Sequence, residues 1–92
     1  MKITLSSDFN YRLNNILDFI SKDSTSRARK FRSDLMEKIN KTAYMPHKHR
    51  KSTMANDERI RDLIFKSYVI PFLIDEENDT IEILSIYGRN LP

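Results

Sequence analysis

Apolar residues recur at helical spacing in the first half of the chain and at strand spacing in its last third. Phe9, Leu13, Ile16, Leu17 and Ile20 fall on one face of a helix. Ser6, Ser7 and Asp8 precede them, and such short polar side chains cap the open N–H groups of a first turn. Ala28, Phe31, Leu35, Ile39 and Ala43 repeat the pattern behind the cap residues Ser24-Thr25-Ser26. Pro46 stops this second run, because the residue before a proline avoids the α region. Only a few polar residues separate the two runs, which predicts an antiparallel helical hairpin.

Three strand-like segments follow: Arg59–Phe65, Tyr68–Asp75 and Thr80–Tyr87. Each is rich in β-branched or aromatic residues, which suit a pleated, half-buried surface. Lys66-Ser67 and Glu76-Glu77-Asn78-Asp79 separate them, and both gaps are of hairpin size. The run closes on Ser85-Ile86-Tyr87-Gly88-Arg89-Asn90. Met1 to Leu5 predicts a short first strand. The longest irregular stretch is Pro46 to Glu58, and long loops are often functional. The fold class expected is α+β, a helical hairpin packed on a small antiparallel sheet, in the order strand-helix-helix-strand-strand-strand. Phe9, Leu13, Leu17, Phe31, Leu35, Ile39, Leu63, Ile70, Phe72, Ile83 and Ile86 are expected to supply most of the core.

Length and composition narrow the classes. A chain of 92 residues reads as one domain, residues 1–92, with a thin core. No cysteine is present, which removes disulfides and thiolate metal sites and fits a cytoplasmic location. No apolar run approaches the roughly 20 residues of a membrane span, so no membrane partner is expected. The first residues lack the apolar stretch of a signal peptide. A single glycine excludes a Gly-rich phosphate loop.

Charge adds an asymmetry that the net value of +3 conceals. Arg27 to Lys51 holds nine Lys or Arg against Asp34 and Glu37, a local balance of +7. From Ser52 onward four basic residues face eight acidic ones, a balance of −4. A basic middle and an acidic end suggest a polyanion or an acidic partner on one face. The plainer reading is a solvated helix face that happens to be basic.

The order of elements, with Arg61-Asp62-Leu63, Tyr68-Val69-Ile70-Pro71-Phe72 and Ile81-Glu82-Ile83-Leu84-Ser85-Ile86-Tyr87-Gly88-Arg89, resembles the RelE/ParE superfamily of toxins from bacterial type II toxin–antitoxin systems, closer to its ParE-like branch. The resemblance spans nearly the whole chain. Pro71 belongs to it, although a proline inside a strand ordinarily marks an edge or a bulge. The resemblance implies a cognate antitoxin that folds over the domain, with acidic as well as apolar anchors for the basic second helix. It implies growth arrest by ParE-like inhibition of DNA gyrase, or, in the RelE-like alternative, metal-independent cleavage of ribosome-bound mRNA. An inactive antitoxin-binding member is a further alternative. Neither mode uses a cofactor or a metal.

The departures from the family pattern favour binding. Val69 stands where many members carry Arg, and Tyr87 where many carry His. The sequence ends at Pro92, without the helix that carries a catalytic Tyr in some RelE-like members. RNA cleavage by the 2′-hydroxyl needs a base, an acid and cations on the developing charge. The candidates are Arg61, Tyr87 and Arg89. An unperturbed Tyr with a pKa near 10 is a poor base at neutral pH. Arg61 also reads as a solvent-facing or ion-paired strand residue, Tyr87 as a half-buried aromatic, and Arg89 as a loose end near the terminus. As binding residues the candidates are Arg59, Arg61, Arg89, His47, His49, Arg50 and Lys51. The His47-Lys48-His49-Arg50-Lys51 cluster is too cationic for a metal. It suits phosphate contact, or it is simply a mobile basic loop. A small nucleic-acid-binding domain would use Tyr44, Phe65 and Tyr68 for stacking, but these fall on core-like positions.

Overall fold

A computed structural model describes residues 1–89. The chain runs through β1 (Lys2–Leu5), α1 (Ser7–Ser21), α2 (Thr25–Lys41), a 3-10 turn (Pro46–Lys48), β2 (Arg50–Lys51), β3 (Ile60–Phe65), β4 (Tyr68–Asp75), β5 (Thr80–Ile83) and β6 (Tyr87–Gly88). Asn90, the last residue of the terminal run, lies outside the described residues. Among the described residues no helix is long and apolar enough to cross a membrane.

The helices start where their caps stand. Ser6 Oγ accepts from the Phe9 N–H at 3.0 Å and donates to the Leu84 carbonyl at 2.7 Å, so one hydroxyl opens α1 and ties it to the sheet. Ser24 Oγ accepts from the Arg27 N–H at 3.2 Å at the start of α2. The second helix ends at Lys41, five residues before Pro46. The buried Thr42 donates its hydroxyl to the Ile39 carbonyl at 2.7 Å, and its N–H bonds the same carbonyl, which tightens the last turn. Ala43 therefore falls beyond the helix.

The sheet order is β1-β5-β4-β3-β2, with β6 also on β4. All pairs are antiparallel except β1 with β5, which is parallel, so the sheet is mixed. Alternation alone reads the same in either direction, so the sequence does not orient β1. The parallel register sets Ile3 beside Ile81 and Leu5 beside Ile83. A bond from the Ser6 N–H to the Ile83 carbonyl at 2.9 Å continues it.

The expected strand Thr80–Tyr87 is interrupted after Ile83 and resumes at Tyr87. Pro71 explains the break. It sits in the central strand β4, and its carbonyl accepts from the Leu84 N–H at 2.9 Å. The proline ring nitrogen faces the same edge and has no hydrogen to give. The missing ladder bond thus falls where β5 gives way to β6, a position in which a central-strand proline is tolerated.

Two turns complete the meander. Lys66 takes a left-handed φ of 53° between β3 and β4, and Asp79 takes the same value before β5. The Asp75 carboxylate receives the Asn78 N–H at 3.2 Å and its amide at 2.8 Å, fixing the second turn.

The helices cover one face of the sheet. Phe9 and Leu13 of α1, Phe31, Leu35 and Ile39 of α2, and Leu63, Phe65, Ile70, Phe72, Ile74, Ile81, Ile83 and Ile86 form one buried cluster. Phe31 meets Phe65 and Tyr68 edge to face at 5.3 and 5.7 Å. Leu17 is half-buried at the margin rather than buried. Tyr44, expected at a core-like position, is 83% exposed, because α2 ends before it and the turn carries it outward.

Candidate functional site

The segment from Pro46 to Glu58 folds along the outer edge of β3 rather than hanging free. Arg61 holds it there. The residue stands opposite Phe72 in the β3–β4 ladder, so its side chain leaves the sheet on the helix-bearing side. Its Nη1 donates to the carbonyls of His47 at 3.1 Å and His49 at 3.0 Å, and its Nε to the carbonyl of Glu58 at 3.1 Å. One guanidinium thus closes both ends of the loop, a use suited to its rigid fork of donors.

Side chains reinforce that clamp. His47 Nε2 lies 2.8 Å from Glu76 Oε1 in the β4–β5 turn. Lys51 Nζ meets Glu58 at 2.9 Å, and Arg59 grips the Asp57 carboxylate through Nε at 3.2 Å and Nη2 at 2.9 Å. His49 is half-buried, its ring perpendicular to that of Phe72 in a T-shaped contact with 5.3 Å between centroids. Burial first, and the Lys48 charge second, push the His49 imidazole below its usual 6.5.

Arg50 belongs to a different arrangement. It pairs across β2–β3 with Asp62, whose side chain is wholly buried. Both Arg50 Nε and Nη2 reach the same oxygen, Oδ2, at 3.2 Å. Among the described residues Asp62 Oδ1 has no hydrogen-bond partner. Its cross-strand neighbour is Pro71, which carries no N–H.

The three catalytic candidates are not brought together. Tyr87 pairs with Val69, on the sheet face opposite to the one Arg61 uses. Burial, then the Asp62 charge, raise the Tyr87 hydroxyl above 10, partly offset by Arg50. That keeps it protonated at neutral pH. Arg89 is exposed, with its backbone N–H donating to the Ser67 carbonyl at 2.7 Å. Arg61 is level with Phe72 on β4, whereas Arg89 lies beyond Tyr68. At about 3.3 Å per residue the two are on the order of 13 Å or more apart along the strand.

Two clefts flank the loop. The first, about 460 Å³, gathers His47, Arg59 and Arg61, but Glu58, Asp75, Glu76 and Glu77 line it as well. Four carboxylates against two arginines make a poor seat for phosphate. The second, about 390 Å³, is lined by Lys38, Lys41, Lys48, His49, Arg50, Asp62, Leu63 and Ile64. Of these Lys48, His49 and Arg50 belong to the basic cluster that the sequence singles out. Lys38 and Lys41 carried a signal in their three-residue spacing on α2, and Asp62 in being a charge between Ile60 and Ile64. Their convergence with Lys48 is a tertiary fact. Among the described residues no group of three or more His, Cys, Asp or Glu is placed to hold a metal.

Set against known proteins, the chain matches the ParE toxin of the type II toxin–antitoxin system, parDE, over residues 3–90. The chain belongs to the ParE toxin family. Among solved structures it is similar to the chromosomal ParDE toxin–antitoxin system from P. aeruginosa, with a TM-score of 0.75 and 18% identity. That alignment covers 96% of this chain and 95% of the other. At such identity the likeness bears on the fold, and it matches the two helices on a mixed sheet described above. No curated protein sequence matches the chain significantly. Within a ParE-family fold, the Val69–Tyr87 pair occupies the β4–β6 rung, and Arg61 serves the loop behind it.

Proposed function

We propose that this ParE-family chain, residues 1–92 acting as one cytoplasmic toxin domain, arrests growth by binding DNA gyrase and is neutralised by a cognate antitoxin. The observation that carries the binding mode is the register. Tyr87 stands beside Val69 on one sheet face, and Arg61 serves three backbone carbonyls on the other. A ribonuclease needs a base, an acid and cations around one phosphate. An inhibitor that binds needs only a shaped, charged surface.

The antitoxin reading rests on family membership and on the apolar surface of α1. Tyr11 and Phe19 are 69% and 74% exposed. Beside them Arg12, Asn15, Ile16, Tyr68, Ile86 and Tyr87 line a shallow cleft. A segment that is disordered alone and folds on binding would cover such a surface.

The test is expression of the toxin alone in bacteria, with purified gyrase assayed in parallel. The expected result is growth arrest with blocked supercoiling, relieved by co-expression of the neighbouring antitoxin and lost on Arg89→Ala. Cutting of mRNA at ribosomes would replace this reading with the ribonuclease one. No effect on growth would make the chain an inactive antitoxin-binding member.

A further inference from the structure

A basic cleft lies at the outer edge of β3, apart from the α1 surface assigned to the antitoxin. We infer that it is a docking surface for the phosphate backbone of duplex DNA. Its cations come from three separate elements. Lys38 and Lys41 project from the last turn of α2, Lys48 from the 3-10 turn, and Arg50 from β2. Convergence from distant parts of the chain differs from a run of charge along one solvated helix. Among the described residues Lys38 and Lys48 form no ion pair, and Lys41 reaches only the exposed Glu37 at 3.5 Å, a weak contact.

The one carboxylate in the lining, Asp62, is buried and paired with Arg50, so the Arg50 charge is offset and the three lysines set the sign of the mouth. The half-buried His49 imidazole lies at the same wall, its pKa lowered, and adds no charge at neutral pH. The acidic β4–β5 turn, Asp75 to Asp79, carries the opposing charge elsewhere on the molecule. The resulting field orients the cleft toward a polyanion.

Duplex DNA fits better than a single strand. No Phe, Tyr or Trp lines the cleft, so it gives no platform for an unstacked base. Lysines act on phosphate as point charges and need no base edge. The contact is therefore independent of sequence and strongly dependent on salt.

The test is titration of a fluorescent DNA duplex with the purified protein at several salt concentrations. Each neutralised phosphate contributes a slope of about −0.9 in log K against log salt, so Lys38, Lys41 and Lys48 give about −2.7. Affinity should then fall about 40-fold between about 50 and 200 mM salt. Lys38→Ala with Lys48→Ala should leave a slope of about −0.9 and a fall of about 3- to 4-fold. Lys2→Ala with Lys22→Ala removes the same charge from exposed sites away from the cleft and should leave the slope unchanged. Equal loss in both pairs would reduce the effect to net charge and overturn the inference, as would no binding in low salt. Three further results would overturn it: tighter binding of a single strand that is lost on Tyr44→Ala, equal competition by a polyglutamate peptide, or preference for anionic lipid vesicles. None of these outcomes depends on whether gyrase is inhibited.

Discussion

Removing Arg50 is expected to destabilise the fold through Asp62 rather than through lost surface charge. The Asp62 side chain is wholly buried; among the described residues its one hydrogen bond comes from Arg50 Nε, and Arg50 Nη2 makes an ion pair with the same oxygen. Arg50→Ala therefore leaves a buried carboxylate with no partner on either oxygen. Breaking a fully buried pair from one side costs about 3–5 kcal/mol, and a single hydrogen bond to a charge contributes about 1.5–3. The Arg50 side chain is 46% exposed, so water enters the space it vacates and rehydrates part of the charge. The cost therefore drops below the buried-pair range to that of one charged hydrogen bond, about 2 kcal/mol. For a chain of this size that corresponds to a fall in Tm of about 8–16 °C. Asp62→Val removes the charge and places a β-branched residue between Ile60 and Ile64, and is expected to stay within about 1 kcal/mol of the parent. In the Asp62→Val background, Arg50→Ala should cost less than about 0.5 kcal/mol, a coupling of about 1.5 kcal/mol. Urea unfolding of all four proteins measures this as midpoint shifts at constant m. An equal loss on Arg50→Ala in both backgrounds would refute the reasoning, since the effect would then not pass through Asp62.

Four other outcomes are expected. Leu35→Ala, at a site with no exposure, should cost about 3 kcal/mol by chemical unfolding, with little change in m. Ser6→Ala removes both a helix cap and the bond to the Leu84 carbonyl, and should cost about 1–2 kcal/mol. His49 has its folded pKa below 6.5, so the stability it contributes is complete above that value and is lost as pH falls through the folded value. His49→Leu should flatten the change in unfolding midpoint between about pH 7.5 and pH 5, while an unchanged profile would reject that origin. Arg61→Ala should speed amide exchange in residues 47–51 and leave β4 and β5 protected; toxicity lost with no loosening of the loop would instead make Arg61 a contact residue.

The helices were written locally. Their apolar faces repeat every three or four residues, and Ser6 and Ser24 announce their starts, so neighbours in sequence suffice to place them. The strand meander was nearly as plain, because β-branched runs and short polar gaps leave few alternatives. The same alternation is blind to direction, and it was a partner strand, not a sequence pattern, that made β1 parallel to β5. Pro71 was visible as an anomaly, yet its consequence lay thirteen residues on, where the strand divides at Leu84 because the edge facing it offers no donor.

The candidate site shows the same division. Sequence named the basic loop and the arginines around it, since residue type and charge are local properties. It could not tell that Arg61 would turn toward three carbonyls of that loop, or that Tyr87 and Arg61 would lie on opposite faces. Nor could it tell that Lys38 and Lys41 would meet Lys48 across the edge of β3. The chain by itself determined the two helices, the main strands, most of the core and the family it belongs to. The tertiary structure alone decided which charges are paired and which are left free, because a charge is compensated by whatever packing brings within a few ångströms, however distant in sequence.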